Sequence, residues 1–154
     1  MQKKIFTYLL LLFLSSCGYE AIYSKKNYIN NNFYISELNL DGDRDINLKI
    51  KQKINNYTLV TKDKNFKLNI FSTSEKKIVA KDTSGDSTIF KIIIIVNTEI
   101  IMKDGYKNNI QIVENFTYDN NLDKFDLKKY EREIKHNLAE TAAEKLIYKL
   151  SNIQ

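Results

Sequence analysis

Thr88-Ile89-Phe90-Lys91-Ile92-Ile93-Ile94-Ile95-Val96-Asn97-Thr98-Glu99-Ile100-Ile101-Met102-Lys103-Asp104-Gly105 decides the fold. The run is dense in β-branched side chains, which suit a pleated surface better than a helix. Read with a period of two, Phe90, Ile92, Ile94, Val96, Thr98, Ile100 and Met102 line one face. Ile93, Ile95, Asn97, Glu99 and Ile101 line the other. Lys91, Asn97 and Glu99 exclude a membrane span. Asp104-Gly105 then signals a tight hairpin, expected as a type I′ turn with positive φ at both positions. A returning strand runs from Asn108 to Tyr118, with Ile110, Ile112, Phe116 and Tyr118 on one face. Glu114 interrupts that series, so either a bulge sits there or the strand is a sheet edge.

Upstream, Phe66, Leu68 and Ile70 alternate with Lys67 and Asn69, again a strand period. Residues 72–77 are polar and read as a ragged continuation before Ile78-Val79-Ala80. Lys81 to Asp86 is a turn cluster, so three antiparallel strands follow one another. Earlier still, Phe33 to Leu40 reads as a strand with Phe33, Ile35, Leu38 and Leu40 inward. That set requires a slip of register near Glu37, hence a bulge. Asp41-Gly42-Asp43 is a turn, and Asp43 or Asp45 can cap a helix over residues 43–57. Its apolar stripe is Ile46, Ile50, Ile54 and Tyr57.

The chain closes on a long amphipathic helix, capped by Asp123 or Asp126. Its stripe is Leu127, Tyr130, Ile134, Leu138, Ala142, Leu146 and Leu150, widened by Ala139, Ala143 and Ile147. The order β-α-β-β-β-α defines an α+β two-layer sandwich, a four-stranded mostly antiparallel sheet with both helices on one face. Two helices cover only that face. The other carries Ile93, Ile95, Ile101 and Val113 among polar residues. Scattered isoleucines on a solvent face are common; a surface that meets a partner is the other reading.

The first 18 residues concern location rather than fold. Met1-Gln2-Lys3-Lys4, an apolar run from Ile5 to Leu14 and Leu14-Ser15-Ser16-Cys17-Gly18 have the layout of a secretory signal. The apolar run is too short for a bilayer-spanning helix, which takes about 20 residues. Leu-Ser-Ser-Cys resembles the bacterial lipobox, in which the cysteine is acylated and the chain is cut just before it. Residues 1–16 are therefore expected to be a signal peptide, 17–32 a lipid-anchored tether, and 33–154 a single domain. Gly18 is not the Asp typical of lipoproteins retained in the inner membrane. The expected location is the outer membrane, on its periplasmic side.

Cleavage leaves 138 of the 154 residues, and 22 of the 24 basic residues against 19 acidic ones, a net charge near +3. So mild an excess does not argue for a nucleic-acid partner. Cys17 is the chain's one cysteine, so once acylated it leaves no disulfide and no thiolate metal ligand.

Candidate catalytic residues are few. His136, the one histidine, lies mid-helix between Lys135 and Asn137 and reads as a solvated helical residue. There is no Gly-x-Ser-x-Gly elbow and no His-rich metal spacing. Asp41-x-Asp43-x-Asp45 lacks the rest of a calcium loop and reads as turn and cap. The chain is not expected to be an enzyme. Lys76, Lys77, Lys81 and Lys124 fall near one end of the sheet and could attract a phosphate-bearing ligand through charge-assisted hydrogen bonds. Scattered lysine in a lysine-rich chain is the plainer alternative.

Cys17-Gly18-Tyr19-Glu20-Ala21-Ile22-Tyr23 resembles the Cys-Gly-aromatic-x-Pro-Leu-Tyr start of alphaproteobacterial members of the LptE family of lipopolysaccharide-assembly lipoproteins, with Ala21 in place of the proline. Phe125 to Glu131, and Asn137-Leu138-Ala139-Glu140 through Leu146, are similar to that family's terminal helix. The resemblance implies an outer-membrane lipoprotein that plugs an LptD-like β-barrel and helps deliver lipopolysaccharide. It implies no catalysis and no cofactor. The alternative is a free-standing periplasmic lipoprotein that binds an amphiphile or another envelope protein, as a chaperone or inhibitor would.

Overall fold

The computed structural model describes residues 32–120 and 123–153. The expected signal peptide, Cys17 and all of the expected tether but Asn32 lie outside the described residues. Six elements follow in the expected order: β1 (Phe33–Gly42), α1 (Arg44–Ile54), β2 (Lys64–Lys81), β3 (Ser87–Met102), β4 (Lys107–Asp119) and α2 (Lys124–Ser151). A 3₁₀ turn, Asn55–Tyr57, ends α1. The sheet order is β1-β2-β3-β4. β1 and β2 are parallel because the α1 crossover returns the chain to the same end, whereas tight hairpins make the other two pairings antiparallel.

The bulge in β1 falls at Ser36. Ile35 opposes Phe66 and Glu37 opposes Lys67, leaving Ser36 without an opposite residue. The extra residue shifts the alternation by one, so Phe33 and Ile35 before it, and Leu38 and Leu40 after it, all face the helices. β2 continues as paired strand through the polar residues 72–77. The Asp104-Gly105 turn differs from the type I′ expectation. Among the described residues positive φ occurs only at glycines, Gly105 being at 84°. The loop is Lys103-Asp104-Gly105, closed by Met102 N–H to Tyr106 O at 2.9 Å and Gly105 N–H to Met102 O at 3.0 Å. The Asp104 carboxylate accepts the Tyr106 N–H at 3.0 Å, so glycine alone adopts the left-handed conformation.

Of the two readings of Glu114, the edge is correct. β4 pairs with β3 without a break from Asp119 to Lys107. Glu114 faces the helices with its side chain only 13% exposed, held by Lys145 at 2.5 Å. An inward-pointing charge is one way an edge strand avoids pairing with other chains.

The core lies between the sheet and the helices. Ile46, Ile50 and Ile54 of α1 meet Ala139, Ala142, Ala143, Leu146 and Leu150 of α2 over Phe66, Leu68, Ile94, Val96 and Ile100. Small alanines on α2 let the two helices approach each other while both rest on the sheet. Burial on α2 begins at Ile134; Leu127 and Leu138 are half-buried, and Tyr130 is exposed.

Asp43 is the joint of the fold. Its Oδ1 caps α1 by accepting the N–H of Asp45 and Ile46, and its Oδ2 accepts the Ser74 hydroxyl at 2.6 Å and Lys135 Nζ at 3.0 Å. One carboxylate thus ties α1, β2 and α2. Burial pushes this carboxyl up, but the hydrogen bonds from Ser74, Lys135 and the Ile46 amide outweigh it and hold it below the usual aspartate range. Beside it, buried Ser72 donates to Asn47 Oδ1 at 2.7 Å, and Asn47 donates to the Asp41 carbonyl at 3.0 Å. Gly42 has φ of 96°, and a Cβ there would stand 2.0 Å from the Ser72 carbonyl oxygen. Only glycine lets β1 turn so close to β2. At the other helix start, Asp123 and not Asp126 is the cap, accepting the Phe125 N–H at 2.8 Å.

Candidate partner-facing surface

The open face of the sheet consists of alternate residues of four strands, and register divides it into two zones. Near the β3–β4 hairpin a ladder of polar side chains crosses every strand. Asn39 donates to Asn69 Oδ1 at 3.0 Å, Asn69 donates to Glu99 Oε2 at 2.8 Å, and Lys107 donates to Glu99 Oε1 at 2.8 Å. The hydrogen bonds from Lys107 and Asn69 hold the Glu99 carboxyl below its ordinary range. Gln111 adds a bond to Asn97 at 2.8 Å. These groups satisfy one another across the face.

In the second zone apolar side chains gather on β3 and its neighbours among polar ones. Ile95 stands in register between Thr73 and Val113, and Ile93 between Glu75 and Asn115. Phe71 lies one pleat further along β2 from Thr73, on the same face, in the row of Asn97 and Gln111 and diagonal to Ile95. Phe71 is 51% exposed and Val113 47% exposed, with Ile93 and Ile95 half-buried between their neighbours. The four candidate residues of this face therefore do not form one patch. Ile93, Ile95 and Val113 converge, whereas Ile101 stands alone between Lys67 and Lys107. It lies six residues, roughly 20 Å, along β3 from Ile95, beyond the polar rows of Asn97 and Glu99. Alternation assigns a residue to a face; only register assigns it to a patch. Phe71 completes the patch, and its signal was the same alternation that placed Lys67 and Asn69.

The four lysines do not gather at one site either. Lys76 and Lys77 are adjacent on a strand and project to opposite faces. Lys76 turns to the helix side, pairs with Glu131 at 2.5 Å and stands 3.8 Å from the centroid of the Phe90 ring. Tyr118 donates to the same Glu131 oxygen at 2.7 Å, and burial together with that carboxylate pushes its phenol well up. Lys77, on the open face, pairs with Glu75 at 3.2 Å and stands opposite Lys91. Lys81 and Lys124 are exposed at the far end, where Asp82, Asp86, Asp123 and Asp126 share the surface.

What the fold assembles instead is a groove of about 420 Å³ between β2 and α2. Ser74, Glu75 and Lys76 of β2 and Ile92 of β3 line it with Lys128, Glu131, Arg132 and Lys135 of α2, and Asp45 of α1 lines it too. Lys128, Arg132 and Lys135 recur at a spacing of four and three, a basic helical stripe visible in the sequence but distinguished only by the groove beneath it.

Among the described residues, no cluster of three or more His, Cys, Asp or Glu is placed to hold a metal. Nor is any described helix long and apolar enough to cross a membrane.

The same architecture occurs in solved structures of small bacterial lipoproteins. The chain is similar to rare lipoprotein B from Shewanella oneidensis, with a TM-score of 0.61 at 11% identity over 75% of this chain and 93% of that one. The minor lipoprotein from Acinetobacter baumannii superposes with a TM-score of 0.55 at 14% identity over 75% of this chain and 90% of that one. Lipoprotein B from Nitrosomonas europaea gives 0.50 at 14% identity, over 78% and 85%. At such identities the likeness establishes the fold alone. No family model and no curated relative matches the chain.

Proposed function

We propose that this chain is an outer-membrane lipoprotein of the LptE type, acylated at Cys17 and seated against an LptD-like β-barrel that it helps to deliver lipopolysaccharide. Its work is binding and not catalysis. The observation that carries the reading is the apolar patch of Phe71, Ile93, Ile95 and Val113, uncovered on a fold shared with rare lipoprotein B. A preformed face of apolar side chains on a sheet suits docking against a rigid wall, because little ordering is left to do on association. The lipobox at Leu14-Ser15-Ser16-Cys17 supports the anchor.

Affinity purification of the acylated protein from detergent-solubilised outer membranes tests the partner. A stoichiometric β-barrel of large size is expected. Recovery of the protein without one would leave the second reading, a free-standing lipoprotein that binds an amphiphile. The groove between β2 and α2 favours that alternative, because Lys128 and Arg132 offer charge to a headgroup there beside the acidic Asp45, Glu75 and Glu131. The anchor is tested separately. Globomycin, which blocks the lipoprotein signal peptidase, should cause precursor to accumulate, and Cys17→Ala should abolish membrane retention of the processed form.

A further inference from the structure

We infer that the end of the domain at which β1 begins is a membrane-docking surface for an anionic bilayer, so that the domain stands on the lipid that its anchor enters. The inference rests on acylation at Cys17 as proposed above. Phe33 opens β1 in register with Lys64, the first residue of β2, and Phe66 opposes Met102, the last of β3. The β3–β4 hairpin, Lys103 to Tyr106, therefore closes the same end. The Tyr57 ring stacks on Phe33 at 4.8 Å, which brings the loop of residues 58–63 there too.

This end presents Leu59, 68% exposed, Val60, 64% exposed, and Tyr106, 62% exposed. None is needed by the core, which is complete without them. Two aliphatic side chains and a tyrosine, sharing this end with Lys64 and Lys103, have the composition of an interfacial contact. The apolar groups enter the headgroup boundary, tyrosine stays at the interface, and lysines reach anionic phosphates. Asp63 and Asp104 also lie at this end, so apolar entry contributes more than charge.

The chain outside the structure selects this end over the other. Cys17 is sixteen residues from Phe33. Such a segment reaches at most ~58 Å fully extended and much less on average. β2 has 18 residues, so its far end lies roughly 55–60 Å beyond the base. An anchored domain therefore presents its base to the bilayer at an effective concentration in the millimolar range, where even a weak surface contact is populated. The β2–β3 hairpin then points away from the lipid.

The chain contains no tryptophan, so Leu59→Trp supplies a sole indole, and Ser84→Trp in the β2–β3 hairpin serves as its control. Each acylated variant is reconstituted on vesicles of phosphatidylethanolamine and phosphatidylglycerol containing brominated phosphatidylcholine. Quenching and a blue shift at position 59, with neither at position 84, are expected. Equal signals at the two positions, or no quenching at position 59, overturn the inference. A second measurement uses the unacylated chain beginning at Gly18, which retains every core residue. There Leu59→Ser with Val60→Ser should lower partition onto the same vesicles about tenfold while the thermal midpoint stays put. Unchanged partition overturns the inference as well. If mass spectrometry finds Cys17 unmodified, the anchor reading fails and this second measurement alone decides the docking surface.

Discussion

The two faces of β3 belong to one strand and meet opposite fates. Ile92, Ile94, Val96 and Ile100 are buried under the helices, whereas Ile93 and Ile95, one residue away from them, look outward. The covered face is continuous and mostly apolar, with Ser72, Thr98 and the paired Glu114 among its few polar side chains. The open face is divided into a self-satisfied polar ladder and an apolar patch of Phe71, Ile93, Ile95 and Val113. The difference separates two uses of the same residue type. Isoleucine on the covered face stabilises the domain. On the open face it adds little to folding and remains free to contact something else.

Most of the domain's stability resides on the covered face. Leu146→Ala should cost about 2–5 kcal/mol, because the alanines around it cannot collapse into the space. That is a large share of the ~5–15 kcal/mol typical of a small domain. Urea unfolding measures it, and an unchanged midpoint would remove α2 from the core. Asp43→Asn should cost less, about 1–3 kcal/mol, since asparagine still caps α1 but leaves Lys135 without its charged partner.

This second effect depends on pH. The folded-state carboxyl of Asp43 lies below its ordinary value, so its contribution is complete above that ordinary value and is lost as pH falls through the depressed one. The difference in melting temperature between Asp43→Asn and the wild type should therefore narrow in acid; a difference that widened there would refute the assignment.

Thr98 is an unfavourable group on the covered face. Its hydroxyl is buried without a hydrogen-bond partner on the covered face. Thr98→Val keeps the shape and removes the unmet polar group, so it should stabilise the domain by about 1 kcal/mol in thermal unfolding. Smallest in stability is the change on the open face. Phe71→Ser with Val113→Ser should move the unfolding free energy by only about 0.5 kcal/mol. Co-purification of a barrel should nevertheless fall sharply; a barrel recovered undiminished would return the patch to ordinary surface.

Much of the fold was legible because its signals are local. The two-residue period of residues 88–102, the slip near Glu37 and the stripe of Ile46, Ile50 and Ile54 each depend on neighbours in sequence, and each appears where expected. The candidate surface was legible only in part. Adjacent lysines at 76 and 77 could be known to diverge, but that Lys76 would meet Glu131 and Phe90 depends on how α2 crosses the sheet.

The sequence by itself determined the elements, their order, which face of each strand is apolar and the glycines that its turns need, because these follow from backbone sterics and hydrophobic period over short spans. Tertiary structure alone decided three things. It joined Phe71 to Ile93, Ile95 and Val113 while separating Ile101, through the register of three strands. It made Asp43 the meeting point of α1, β2 and α2. It gathered Lys76 with Lys128, Arg132 and Lys135 around one groove. Each of these depends on residues distant in the chain, whose separation in space is set by packing and pairing, and no local period carries that information.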